Sequence, residues 1–339
     1  IETPLKPREM TPMKAWMVTT AGTPKDVLER VDCAVPAPTA GTIRVKVLAA
    51  GVGLPDVLMC KGNYPFTPQH PFISGQEVCG IVTDTNGHQA FELGQRVMGV
   101  TAFIEGHGGF AEEALLYDQN IFQVPEEMSD SEAAVFTIAY RTGYVALVIR
   151  GQMKAEETLL VHGASGGTGA AAIQIGKALG GRVIAVANGK LKTEKCISFG
   201  ADDVVDSSRD DFVEQVNMLT KGKGVDLVFD PVGGGTFSRS LNCLNFGGRL
   251  LAIGFASGAW GDASTQDLAL NNRSVIGVLA TVPTPEISQA MQAELYTLYK
   301  QGEIRPHIER THSFEDLPNA LADLDERLII GRSVILMSK

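Results

Sequence analysis

The sequence predicts a two-domain α/β protein, with a doubly wound parallel-sheet domain of residues 132–280 inserted into a β-rich domain made of residues 1–131 and 281–339. Three observations carry this expectation. At 339 residues the chain exceeds what one hydrophobic core ordinarily fills. From residue 158 onward, short apolar runs alternate with helix-length segments. Residues 13–131 instead show apolar or period-two segments broken by Gly and Pro.

Each element has its own justification. Ile43 to Ala49, Val78 to Val82 and Phe110 to Leu116 read as strands of a barrel or sandwich. In the second part, Leu159 to His162, Arg182 to Ala187, Val204 to Asp206, Val225 to Asp230, Arg249 to Gly254 and Ser274 to Leu279 are too short for helices. Their consecutive apolar residues suit strands covered on both faces. Between them, 168–180 is rich in Ala and Ile, 190–199 has helix length, and 209–221 puts Phe212, Val216 and Leu219 on one face before Gly222 and Gly224 stop it. Beyond 280, a helix over 285–300 and a last strand from Ser333 to Met337 are expected, the strand completing the first domain.

Composition excludes whole classes. With 44% hydrophobic and 20% charged residues, 37 Gly and 16 Pro, the chain is neither disordered nor collagenous. Lys+Arg 29 against Asp+Glu 39 leaves a net charge of −10, the wrong sign for tracking a phosphate backbone, so no nucleic-acid partner is expected. Cys33, Cys60, Cys79, Cys196 and Cys243 are odd in number and far apart, without a CxxC pair, and read as buried small hydrophobes in a reducing compartment. Residues 1–12 hold Lys6, Arg8 and Glu9 among three prolines and show no secretion signal, and no run of about 18 apolar residues suggests a membrane span. A cytoplasmic location is expected.

The most informative motif follows the strand at Leu159. Gly163-Ala164-Ser165-Gly166-Gly167-Thr168-Gly169 links that strand to a small-residue helix, the context of a dinucleotide-binding turn. Gly166 lets backbone N–H groups approach a pyrophosphate, the helix N-terminus adds partial positive charge, and Gly169 permits close helix–strand packing; Ala164 replaces the first glycine of GxGxxG. About 20 residues on, a carboxylate would bind the ribose of NAD. The sequence there is Ala187-Asn188-Gly189-Lys190 followed by Lys192, with two cations and no acid, which favours the extra phosphate of NADPH. Lys190 and Lys192 also fit a solvated helix start.

Together these segments resemble the medium-chain dehydrogenase/reductase superfamily, and within it the zinc-free quinone oxidoreductase branch that includes zeta-crystallin. The resemblance covers nearly all of residues 13–339. It rests on Gly53-Leu54-Pro55-Asp56-Val57-Leu58-Met59, Gly62-Asn63-Tyr64, Pro71-Phe72-Ile73-Ser74-Gly75-Gln76-Glu77, Gly108-Gly109-Phe110-Ala111-Glu112 and the glycine-rich turn. Gly224-Val225-Asp226 through Asp230-Pro231-Val232-Gly233-Gly234 and Asn272-Arg273-Ser274-Val275-Ile276-Gly277 extend it. It implies a GroES-like catalytic domain around a Rossmann domain. Zinc alcohol dehydrogenases of the superfamily carry Cys and His at the positions of Gly53 and Gln76; neither residue here replaces a ligand, and no metal is expected. Without a Lewis acid, an electron-poor acceptor suits the chemistry: a quinone, or alternatively an enone, enal or enoyl thioester, takes hydride because its own oxygen stabilises the developing charge.

The resemblance makes Tyr64 the candidate hydrogen-bond donor and Asp56 a second catalytic candidate, which serves equally well as a structural hydrogen-bonding residue. It places Thr142 near the nicotinamide carboxamide and puts Gly233, Gly254 and Leu279 at strand ends where backbone approaches the cofactor. Relatives often have Tyr where this chain has Ser207, close to the 2′-phosphate. With Ala164, Ser165, Gly166, Gly167, Thr168, Gly169, Asn188, Gly189 and Lys192, these form the expected NADPH site. The expected activity is zinc-independent, NADPH-dependent hydride transfer to a small electrophilic acceptor, with a non-catalytic nucleotide-binding protein and a zinc alcohol dehydrogenase as rival readings. An apolar edge strand, Ser274 to Leu279, suggests a homodimer.

Overall fold

The computed structural model describes residues 12–280 and 284–337. These form an α/β protein of two compact units, the described residues up to 134, 311–328 and those from 334 on in one, and the described residues of 135–310 with 329–333 in the other. The N-terminal stretch read for a signal, and the expected domain junction at 281, lie outside the described residues.

In the second unit, strands Asp203–Asp206, Arg182–Ala187, Thr158–Val161, Val225–Asp230, Leu244–Ala252 and Ser274–Gly277 lie side by side in that order. Every pairing is parallel. The order is the doubly wound 3-2-1-4-5-6, whose reversal point falls between Thr158–Val161 and Val225–Asp230, where ligands of such sheets bind. The apolar runs are strands for the reason expected: Leu159, Leu160, Val161, Leu227, Val228 and Phe229 are all fully buried. The last strand ends at Gly277, shorter than expected, so Leu279 lies beyond it and is 61% exposed.

The first unit is β-rich. Its large sheet has the order 311–313, 334–336, Thr42–Val52, Glu77–Asp84, Arg96–Thr101, Glu113–Gln123, and an additional pairing of Thr42–Val52 with Glu113–Gln123 closes four of these strands on themselves. Pro12–Val18, Leu28–Ala34 and Phe72–Ile73 form a smaller sheet. Val45, Val47, Val78, Val97, Phe110 and Leu116 are the buried faces of this alternation.

The division differs from the expected one after residue 280. The helix Pro285–Gln301 belongs with the parallel sheet, because its buried stripe of Met291, Leu295 and Tyr299 packs there: Tyr299 meets Phe136 edge-on at 5.9 Å and Arg141 donates to Ser288 Oγ at 2.9 Å. Residues 329–333 join the same unit, with Gly331 N donating to Ser165 O.

Candidate functional site

The glycine-rich turn lies where the sheet order reverses. Gly166 is the N-cap of the helix Gly167–Ala178, and the first intrahelical bond runs from Ala170 N to Gly166 O. The N–H groups of the first turn therefore have no acceptor within the helix and carry its partial positive charge. Ala164 and Ser165 are buried, whereas Gly166, Gly167 and Thr168 are partly open. A Cβ on Gly169 would lie 2.3 Å from Gly163 O and 2.7 Å from Ala164 Cα, so only glycine lets the helix pack this closely on the turn. A Cβ on Gly166 would meet nothing nearer than Gly163 O at 3.4 Å, leaving open space before its backbone. One close contact and one open face are what a pyrophosphate cradle requires, so these residues fit a dinucleotide.

After the strand Arg182–Ala187, Asn188 is exposed and Gly189 and Lys192 are partly exposed, at the start of the helix Lys190–Ser198. Lys190 pairs loosely with Glu194 at 3.7 Å. The structure adds an acid that the strand Arg182–Ala187 does not supply. Asp206, at the end of the neighbouring strand, accepts from Gly189 N at 2.8 Å and Ser208 N at 2.9 Å. These backbone bonds hold its carboxyl below the usual range. Position 188 carries no acid, as read from the sequence, but Asp206 pairs with Ala187 across the sheet, a juxtaposition that spacing along the strand Arg182–Ala187 does not reveal.

On the other side of the reversal point, Asp230 is wholly buried and accepts from Val232 N at 2.8 Å and Gly233 N at 3.1 Å, fixing the turn after its strand. Burial pushes its carboxyl up, and the two backbone donors oppose this. Gly233 has φ +72°, and a Cβ there would stand 2.5 Å from Ala259 O and 3.1 Å from Gly254 O. Packing alone demands glycine at 233. Gly254 N reaches Asp230 O at 3.4 Å, so the two strand-end turns are tied together. Thr142 is buried in the helix Thr137–Tyr144. Arg332 was not singled out by the sequence: its Cδ is 2.2 Å from where a Gly167 Cβ would stand, so its stem covers the start of the turn's helix. Only residue 331's pairing with residue 166 brings it there.

In the first unit, Asp56 is buried. Its carboxylate accepts from Gly53 N at 2.9 Å and Gly75 N at 3.0 Å, stapling the helix Leu54–Cys60 to the segment ahead of Glu77. This geometry serves the structural alternative for Asp56. Tyr64 is half-buried, edge-on to Phe66 at 5.7 Å. Burial raises its phenol above the ordinary value, the Gln76 side chain acts the other way, and the charge of Asp56 adds to the rise. The phenol is therefore a neutral donor at physiological pH. Gln76 is 5% exposed. The sequence identified it only as a residue that replaces a ligand. Among the described residues, no three His, Cys, Asp or Glu side chains gather so as to hold a metal ion, and no helix is long and apolar enough to cross a membrane.

Two family models match the chain: the alcohol dehydrogenase GroES-like domain over residues 39–126 and zinc-binding dehydrogenase over residues 167–294. Quinone oxidoreductase-like protein 2 of Bos taurus is 32% identical over 299 residues, 86% of this chain and 84% of that protein. Quinone oxidoreductase of Homo sapiens is 30% identical over 320 residues, 94% of each. The crystal structure of Escherichia coli quinone oxidoreductase complexed with NADPH superposes with a TM-score of 0.86 at 26% identity, covering 95% of this chain and 99% of that one. A GroES-like domain and a nucleotide-binding parallel sheet in one chain define an NAD(P)-dependent oxidoreductase. The chain belongs to the medium-chain dehydrogenase/reductase superfamily, in its quinone oxidoreductase-like branch.

Proposed function

We propose that this protein is an NADPH-dependent reductase that delivers hydride to a quinone without a metal ion, as a cytoplasmic homodimer. The observation that carries the reading is the donor set of the first unit: Gly53 offers no side chain and Gln76 a neutral amide where a catalytic zinc would need thiolate and imidazole. With no cation to stabilise an alkoxide, the acceptor must disperse charge onto its own conjugated oxygen, as a quinone does.

The assigned roles follow from the chain's own residues. The 163–169 turn and its helix N-terminus would bind the pyrophosphate, with Asn188, Gly189 and Lys192 at the adenosine end and Thr142, Gly233, Gly254 and Leu279 toward the nicotinamide. A bound nicotinamide supplies hydride from its C4. Tyr64 would hold a neutral O–H toward the oxygen on which charge develops. Asp56 keeps Gly53 and Gly75 in place. NADPH is supported by the lack of an acid at 188, by Lys192, and by the NADPH complex of the E. coli relative. The carboxylate of Asp206 works against a 2′-phosphate and sets the size of the expected preference. We further propose that 1–131 with the C-terminal strand forms the substrate domain and that 132–280 binds cofactor, and that the edge strand Ser274–Gly277, with Val275 36% exposed, pairs two protomers.

The test is NADPH oxidation, followed by absorbance at the nicotinamide band, with a panel of quinones, enones and enals. Turnover with quinones supports the reading. Turnover only with enones or enals reassigns the acceptor, and cofactor binding with no turnover on any member overturns catalysis.

A further inference from the structure

Ser74 Oγ and Gln76 Nε2, two residues apart just ahead of the strand Glu77–Asp84, are buried polar atoms with no hydrogen-bond partner among the described residues. A buried donor left unmade is costly, and native proteins keep one chiefly where a ligand completes it. Gln76 cannot relax toward water by shifting its backbone, which is held on every side. Gln76 O accepts from Thr101 N at 2.9 Å, Gly75 O accepts from Thr101 Oγ1 and Gly109 N at 2.7 Å each, and Gly75 N donates to Asp56. A Cβ on Gly75 would be 2.8 Å from Phe110 N, so the segment has no slack. The Gln76 side chain also hydrogen-bonds weakly toward the Tyr64 phenol and so favours its ionised form, which leaves the Nε2 donor without a well-formed partner. A rigid amide donor and a neutral phenol donor thus share one corner of the first unit.

We infer that Gln76 is a specificity-determining residue, whose Nε2–H donates to the carbonyl oxygen of the acceptor alongside the O–H of Tyr64. The inference rests on the reductase reading above and deepens it. A carbonyl oxygen has two lone pairs and accepts both donors at once. When hydride reaches a quinone, the π pair of its conjugated system moves onto that oxygen, and a proton from Tyr64, replaced from water, completes it. One quinone, one hydride and one proton make one hydroquinone, with NADPH as the reductant leaving as NADP+. Gln76 transfers nothing; its bond strengthens as the oxygen gains charge, so it selects acceptors that develop charge there.

Two variants test this. Gln76→Met keeps length and removes the donor: kcat/KM for a quinone should fall at least tenfold through both KM and kcat, and hydroquinone binding measured by calorimetry should weaken about as much, while NADPH affinity and melting temperature stay near wild type. Gln76→Glu restores a donor only when protonated, so its activity should fall as pH rises through the range where the new carboxyl ionises, a dependence wild type lacks over that range. If the Met variant does not fold, the Glu variant's pH profile decides. Activity of Gln76→Met within twofold of wild type, or a Gln76→Glu profile matching wild type, overturns the assignment. Wild type inert on every quinone, enone and enal overturns the reductase reading itself, a distinguishable failure.

Discussion

Replacing Gly169 by alanine probes the dinucleotide turn through a contact the structure measures. The added Cβ would stand 2.3 Å from Gly163 O and 2.7 Å from Ala164 Cα, both backbone atoms that cannot rotate away. Side-chain Cβ atoms essentially never approach closer than 3.0 Å, so turn and helix must separate by about 0.7 Å, the difference between 3.0 and 2.3. Overpacking of this kind costs about 1–3 kcal/mol of stability. The same movement displaces the helix N–H groups from a bound pyrophosphate. Charge-assisted hydrogen bonds are worth about 1.5–3 kcal/mol each, and about 1.4 kcal/mol is tenfold in affinity, so Kd for NADPH should rise about tenfold or more. Fluorescence titration with NADPH and a thermal melt give the two readouts. Gly235→Ala is the control, since a Cβ there meets nothing within 4 Å and its φ is not left-handed. A Gly169→Ala protein that binds NADPH within twofold of wild type and melts at the same temperature would refute the packing argument.

Other perturbations separate the remaining claims. Tyr64→Phe should lower kcat at least tenfold and leave NADPH affinity nearly unchanged. Because burial raises the Tyr64 phenol, any basic limb of the kcat profile due to it must lie above about 10, and a limb below that would assign it elsewhere. Lys192→Ala should weaken NADPH about tenfold and NADH hardly at all; equal losses would remove Lys192 from the 2′-phosphate. His162 is fully buried with Nε2 2.8 Å from Ser240 Oγ, which donates to Thr236 O, so the ring is held neutral with its proton on Nε2. Burial lowers its pKa from 6.5 to about 3, so the unfolded chain takes up a proton first: its stability contribution is complete above about 6.5 and is lost as pH falls toward 3. His162→Gln should therefore lose less melting temperature than wild type between pH 7 and 5. Val275→Lys on the edge strand should shift the mass in light scattering from dimer to monomer, and an unchanged mass would reject that interface.

Much of the fold is legible in the sequence. The buried runs around Leu160, Ile184 and Val228 are apolar at every position because both sheet faces are covered, so a local pattern announced parallel strands and helices between them. The Gly166 and Gly169 spacing likewise records a local steric need. Where the reading failed, the missing information was non-local. The helix Pro285–Gln301 looks the same whichever unit it joins; contacts with Phe136 and Arg141, about 150 residues earlier, decide it. For Asp56, the sequence leaves catalytic and structural roles equally open, and the backbone donors Gly53 N and Gly75 N that meet its carboxylate lie 3 and 19 residues away.

The sequence by itself determined the class of this protein: the succession of apolar runs and the glycine-rich turn follow from chemistry within a few residues of each other, and the resemblance they carry gives the side chains at 53 and 76 their meaning. Only the tertiary structure decided which polar groups are satisfied and which await a partner. Asp206 reaches Gly189, Arg332 covers Gly167, and Gln76 lacks a partner because of backbones brought together from distant parts of the chain. Hydrogen-bond satisfaction is a property of three-dimensional surroundings, and no periodicity along one strand or helix encodes it.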